Sequence, residues 1–325
     1  MKAALWLLAA AASLGAQPKL LINAQTDTRS AASGLEREFK TLVAAQSQPG
    51  WIGYSVPAVR NTGWGCEYVR DSGATAGVIH LEPPTEAVIL YRVENNAVNR
   101  VRAISPYCEI DAGGVPVHWL TDVQPAQSIA LLETMVTNRE NFGDNPLHAI
   151  AMHADPSAVK ALEHYLATDQ PDSIRLRAVS YVASRDFNLV KKIIAADRDL
   201  RVRERAVSSL ANNKQPEAEE LLLSIAATGD DSRLRLQAIS GLGRKSGARV
   251  TAALTSIAEK DTDGTVRRRA LSALQNMPDG EGVPVLIQLA KSERNPETKK
   301  QAMQSLQNSR DPRALAFFEE FLKSK

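Results

Sequence analysis

The chain has 325 residues, long enough for two domains, with 44% hydrophobic and 5% aromatic side chains. Its 39 basic and 37 acidic residues leave a net charge of +2, without the basic excess of a nucleic-acid binder. The few aromatics form no base-stacking platform.

The N-terminus, MKAALWLLAAAASLGAQPK, carries Lys2, an apolar run from Ala3 to Ala12 and small residues before Gln17. This pattern predicts a secretory signal peptide over 1–16, cut after Ala16, and a periplasmic or secreted mature protein. The apolar run is too short to span a bilayer, so no membrane span is expected.

Residues 17–123 are expected to form a small α+β domain. The stretch GLEREFKTLVAAQ predicts a helix ahead of a strand-rich segment from Gly50 to Val123. Within it, AVILYRV and VNRVRAI flank ENNA, a hairpin whose turn Asn95 and Asn96 supply. EIDAGGVPVHWL adds a turn at Asp111 to Gly114 and another strand; no helix start follows, so these glycines are not a phosphate loop. Cys66 and Cys108 are the two cysteines, and an even pair in an exported chain predicts a disulfide between them. The domain is expected to cover the first turn of the helical array that follows.

From 124 to 325 the pattern is helical. PAQSIALLETMVTN reads as one helix, and NPLHAIAMHADPSAVKALEHYLA, Asn145 to Ala167, as an irregular helical pair. Five regular copies then centre on Ala178, Ala206, Ala238, Ala270 and Ala302, at intervals of 28, 32, 32 and 32 residues. Four before each alanine stands Ile174, Val202, Leu234, Val266 or Thr298; four after stands Val182, Leu210, Leu242, Leu274 or Leu306. With an apolar residue one after the alanine as well, these offsets trace one face of a helix, and the alanine marks a close helix–helix approach. Asp172, Asp199, Asp231, Asp263 and Asn295 are placed to cap the helix starts. A second apolar run follows each alanine, so each copy is two helices that must stack on neighbours to bury their faces.

Aspartate, then an apolar residue with a base, then alanine and a leucine-like position resembles the short HEAT-like repeat of the phycobilisome-lyase type. Val202 with Arg203 and Val266 with Arg267 carry the pattern, Ile174 with Arg175 and Leu234 with Arg235 are close variants, and Thr298 with Lys299 departs from it. The resemblance covers about half the chain and implies a mainly α fold, a HEAT-like α-solenoid preceded by the α+β domain, which is left unassigned. It implies protein binding; lyase activity is not implied by the repeat alone.

The base three places before each alanine, Arg175, Arg203, Arg235, Arg267 or Lys299, is expected to pair with a cap acid of its own or the adjacent repeat. A phosphate-gripping ladder is the competing reading. His148, His153 and His164 are not expected to converge on a metal, since residues five apart on a helix point about 140° apart. No cofactor fingerprint or catalytic motif is present, so no enzyme activity and no cofactor are expected.

The expected function is therefore an exported scaffold that binds a protein or peptide through the concave side of the solenoid. Registering the second helices on Ile194, Ile225, Ile257 and Leu289 as core places Lys192, Leu223, Thr255 and Ile287 about 200° round the helix, as a stripe on that side. The alternative is an enzyme or small-ligand binder with its site around Tyr91, His118 and Trp119.

Overall fold

The computed structural model describes residues 21–59, 84–136, 146–183, 185–292 and 295–323. The expected signal peptide and Cys66 lie outside the described residues. The chain divides into two compact units, Met1–Tyr181 and Val182–Lys325.

The first unit opens with β1 (Leu21–Ile22) and β2 (Gln25–Ser30), then α1 (Leu35–Ala45), β3 (Gly50–Pro57), β4 (Glu86–Glu94), β5 (Ala97–Ile104), β6 (Ile110–Asp111) and β7 (Pro116–Thr121). The main sheet has the order β2-β7-β3-β4-β5, and β1 pairs with β6 beside it. The expected hairpin joins β4 to β5: Asn95 and Asn96 have φ of 54° and 59°, the two left-handed residues a tight hairpin turn demands. The Asn96 side-chain amide also donates to the Ala44 carbonyl at 2.6 Å, closing the end of α1. The second expected turn is present too, with Gly113 and Gly114 at φ 63° and 79° ahead of β7.

The sheet is mixed, since β7 runs parallel to both β2 and β3 while β3, β4 and β5 alternate. Its two faces bury different cores. On one, Phe39 of α1 meets Tyr91 edge-on at 4.8 Å, and Leu35, Phe39 and Leu42 form the buried stripe of that helix. On the other, Val88, Leu90 and Trp119 cluster with Trp51, Ile104 and Ile110. Gly53 is required there: a Cβ would stand 2.7 Å from Leu90 Cδ2 and 2.9 Å from Trp119.

Four helices continue the unit: α2 (Pro125–Glu133), α3 (Pro146–Met152), α4 (Ser157–His164) and α5 (Asp172–Val182), in whose last turn the two units divide. The end of β3 is tied to the turn after α3, where the Val59 amide donates to Met152 O at 3.0 Å and the Ala154 amide to Pro57 O at 2.9 Å. The repeat-type sequence and the compact unit thus begin at different places in the chain.

The second unit runs α6 (Phe187–Ala196), α7 (Leu200–Leu210), α8 (Pro216–Thr228), α9 (Ser232–Leu242), α10 (Ala248–Lys260), α11 (Gly264–Gln275), a 3-10 turn, α12 (Val283–Lys291), α13 (Pro296–Gln307) and α14 (Pro312–Lys323). All five central alanines are 0% exposed, and the residues four before and four after each are buried. Any side chain longer than a methyl group at these alanines would hold neighbouring helices apart. First helices stack in a row, α7 on α9 on α11 on α13, and each second helix packs on the first helix that follows it, α8 on α9, α10 on α11 and α12 on α13.

Caps match the expectation at four of five starts. Asp199 accepts from the Arg201 amide, Asp231 from Arg233 and Leu234, Asp263 from Thr265, and Asn295 from Glu297 and Thr298. Asp172 differs. It is the first residue inside α5, and Pro171 takes the flanking place, its carbonyl accepting from the amides of Ile174 and Arg175. Asp172 still lies at the positive end of the helix dipole.

Candidate interaction surface

Four of the repeated bases, Arg175, Arg203, Arg235 and Arg267, bond main-chain carbonyls. Arg175, Arg203 and Arg235 each donate Nε to the carbonyl nine residues earlier: Leu166 at 3.1 Å, Ile194 at 2.7 Å and Ala226 at 3.1 Å. Arg267 donates Nη1 to the carbonyls of Asp261 at 2.8 Å and Thr262 at 3.2 Å. The guanidinium groups thus satisfy carbonyls in the last turn of the preceding helix, Ile194 and Ala226, or in the link just after it, Leu166, Asp261 and Thr262, where a cation also suits the dipole. Arg235 further pairs with Asp261, in the link between α10 and α11. Burial pushes the Asp261 carboxyl up, but hydrogen bonds from Arg235 and the Asp263 amide outweigh it and hold it below the ordinary range. The cap acid Asp199 pairs with Arg201, two residues on, at 2.8 Å. These arginines join helices of the stack and do not form an outward ladder for phosphate.

On the second helices, Ile194, Ile257 and Leu289 are buried as registered, while Ile225 is half-buried because Leu222 and Ala226 take the fully buried places on α8. Of the expected stripe, Lys192 is exposed and Leu223, Thr255 and Ile287 are half-buried. Thr255 lines an open groove of about 620 Å³ with Thr251, Ser256, Glu259 and Lys260 of α10, Glu281, and Val285 of α12. The Thr251 and Thr255 hydroxyls donate to the carbonyls four residues earlier, at 3.1 and 2.7 Å, which leaves their oxygens as acceptors. Glu281 is held in place by the Gly247 amide at 2.7 Å. A second cavity of about 230 Å³ shares Glu259 and Lys260 and reaches Ser292, Asn295 and Thr298. It lies where the last copy has Thr298 in place of an aliphatic residue.

Sequence reasoning placed Thr255 on this face and missed Thr251, Ser256, Glu259 and Glu281. The signal available was the run of small and hydroxyl residues on α10, Ala248, Thr251, Ala252 and Thr255, on the side away from Ile257.

The alternative trio is not brought together. Tyr91 is 0% exposed and Trp119 1%, in the cores of opposite sheet faces. His118, half-buried, hydrogen-bonds Asp27 through Nδ1 and Gln46 Oε1 through Nε2 at 3.0 Å.

A buried hydrogen-bond chain runs through the same unit instead. His153 donates Nδ1–H to Ala149 O at 2.8 Å, so in the neutral imidazole Nε2 accepts from the Ser128 hydroxyl at 2.9 Å. Ser128 then accepts from Tyr54 at 2.7 Å, and Tyr54 from Tyr91 at 2.5 Å. All four side chains are 0% exposed, and burial pushes Tyr54 up to about 12 and Tyr91 well above its ordinary value. Ser128 and His153 have the spacing of a nucleophile and its base, but sealed from solvent they serve as a joint between sheet and helices.

His148 lies against Tyr181 at 5.6 Å and His164 against Tyr165 at 5.3 Å, so the three histidines do not converge. Among the described residues no group of three or more metal-ligating side chains occurs, and no helix is long and apolar enough to cross a membrane. Cys108 is 3% exposed.

A family model for HEAT repeats matches residues 188–275 and 251–325. No curated protein matches the chain. Among solved structures, the complex of CpcE and CpcF of phycocyanin lyase from Nostoc sp. PCC7120 is 18% identical with a TM-score of 0.34, over 46% of this chain and 99% of that one. Human deoxyhypusine hydroxylase is 13% identical with a TM-score of 0.30, over 60% of this chain and 90% of that one.

Proposed function

Because residues 188–325 are HEAT repeats, we propose that this protein is an exported scaffold that binds a segment of a partner protein along the second-helix face. The observation that carries this reading is the groove of about 620 Å³ on α10 and α12, which holds Thr255 of the expected stripe. Its walls combine methyl groups, hydroxyl acceptors, the carboxylates of Glu259 and Glu281 and the ammonium of Lys260, a surface suited to the backbone amides and charged side chains of an extended peptide. Leu223 and Ile287, half-buried to either side on α8 and α12, supply apolar contact. The carbonyl-bound arginines and the net charge of +2 favour a protein partner over nucleic acid.

The scaffold acts by binding and carries no catalytic step; the sealed Ser128–His153 pair and the divided Tyr91–Trp119 pair support this. Export rests on the N-terminal pattern over 1–16.

The test is a photo-crosslinking residue at Thr255, with Arg268 on α11 as the control, followed by identification of the adduct. An adduct from 255 alone is expected. Purified, that partner should bind the wild type and lose affinity for Leu223→Arg and Ile287→Arg at unchanged melting temperature. Equal labelling from both positions contradicts the assignment of the face.

A further inference from the structure

All five histidines of the chain precede Tyr181, in the first unit, and Val182–Lys325 contains none. Of the four among the described residues, His153 is the one that is fully buried. Its ring belongs to a line of four hydrogen-bond links: Nδ1 with Ala149 O, Nε2 with Ser128 Oγ, Ser128 Oγ with Tyr54 Oη, and Tyr54 Oη with Tyr91 Oη. With a neutral imidazole the line holds four hydrogens, one on the ring and one on each hydroxyl, and each link takes one. A second ring proton makes five hydrogens for four links. Whichever way the hydroxyls turn, one hydrogen in the line then lacks an acceptor, beside a charge sealed from water. The tyrosines do not relieve this by ionising, because burial pushes Tyr54 up to about 12 and Tyr91 well above its ordinary value. Asp155, in the turn just beyond His153, is engaged elsewhere: its Oδ1 accepts from the Ser157 hydroxyl at 2.6 Å and the Ser157 amide at 2.8 Å. Those bonds hold its carboxyl below the ordinary aspartate range, and attraction to His153 is the weakest of the influences on it.

We infer that this line is an acid-sensitive latch, in which protonation of His153 opens the joint that ties β3 and β4 to α2 and to the turn after α3. The sign follows from where the proton binds. The closed line keeps the ring neutral, whereas an opened imidazole takes a proton below about pH 6.5. The joint is therefore at full strength above that pH and weakens as pH falls below it. Carboxylates with ordinary values near about 4 are still ionised in that window, so the first loss on acidification belongs to the histidine.

The experiment is hydrogen exchange of the full chain between about pH 7 and 5, corrected for the intrinsic pH dependence of exchange. Amides of β3, β4 and α2 should open about tenfold more for each pH unit below about 6.5, the slope of one proton. The second unit, which has no histidine, is the internal control and should keep its protection. His153→Gln should flatten the dependence in β3, β4 and α2, which separates this ring from His118, His148 and His164. A second measurement needs no variant: histidine-selective nitrogen NMR of the wild type should show a neutral ring at His153, with its hydrogen on Nδ1, for as long as the line is closed. Protection in β3, β4 and α2 that ignores pH over this range overturns the proposal. So does a His153→Gln protein with the wild-type dependence, and so does an imidazolium at His153 while those amides remain protected.

Discussion

The sheet of the first unit and the helical stack of the second reach burial by opposite routes. In the sheet, a few large side chains from distant parts of the chain meet once each. Tyr54, Tyr91, Ser128 and His153 are joined across separations of 37, 74 and 25 residues. In the stack, the same small set of contacts recurs about every 32 residues, with alanine at each crossing and an arginine reaching back nine residues to the preceding helix. A sheet of unique contacts fails at any one of them; a stack of repeated contacts fails where its common element is broken.

The largest effect is expected at the common element. Ala238→Glu puts a charge into a fully buried helix crossing and should cost about 3 kcal/mol or more, read from denaturant melts. Ala227→Glu, exposed on α8, should stay within about 0.5 kcal/mol. Equal losses would break the repeat register. The Cys66–Cys108 bond expected from the sequence comes next: denatured, unreduced protein should show no reactive thiol, and Cys108→Ser should cost about 2–4 kcal/mol.

In the sheet, Ser128→Ala removes the acceptor of the buried Tyr54 hydroxyl and the donor to His153 Nε2, and should cost about 1–3 kcal/mol. Tyr91→Phe, which removes only the terminal donor, should cost about 1 kcal/mol. If the two variants cost the same, the order of the chain of hydrogen bonds is wrong. The smallest effect is Asp261→Asn, on the order of 1 kcal/mol at neutral pH. Asp261 is held below the ordinary aspartate range in the folded state. Its contribution is therefore present above a pH of about 3.9 and is lost as pH falls through the lower folded value. The variant should show a shallower acid decline in melting temperature than the wild type.

The same contrast decides what could be read in advance. The helices from Asp172 onward were legible because a 3.6-residue period is local, and the hairpin at Asn95 and Asn96 because turn chemistry is local. β2 was not legible: QTDTRS has no aliphatic residue and pairs only as an edge. The destination of Arg175, Arg203 and Arg235 was hidden because main-chain carbonyls carry no letter in a sequence. Of the candidate surface, Thr255 was legible as the side of α10 away from its core residue. Glu281 was not, because its place is fixed by the Gly247 amide, 34 residues earlier.

The central claim is that the second-helix face around Thr255 binds the partner. Calorimetric titration of the crosslink-identified partner into wild type and Thr255→Arg tests it most directly, because the substitution fills the groove without touching the helix crossings. The account predicts affinity weakened at least about tenfold at unchanged melting temperature. Unaltered affinity in a folded Thr255→Arg protein would contradict it.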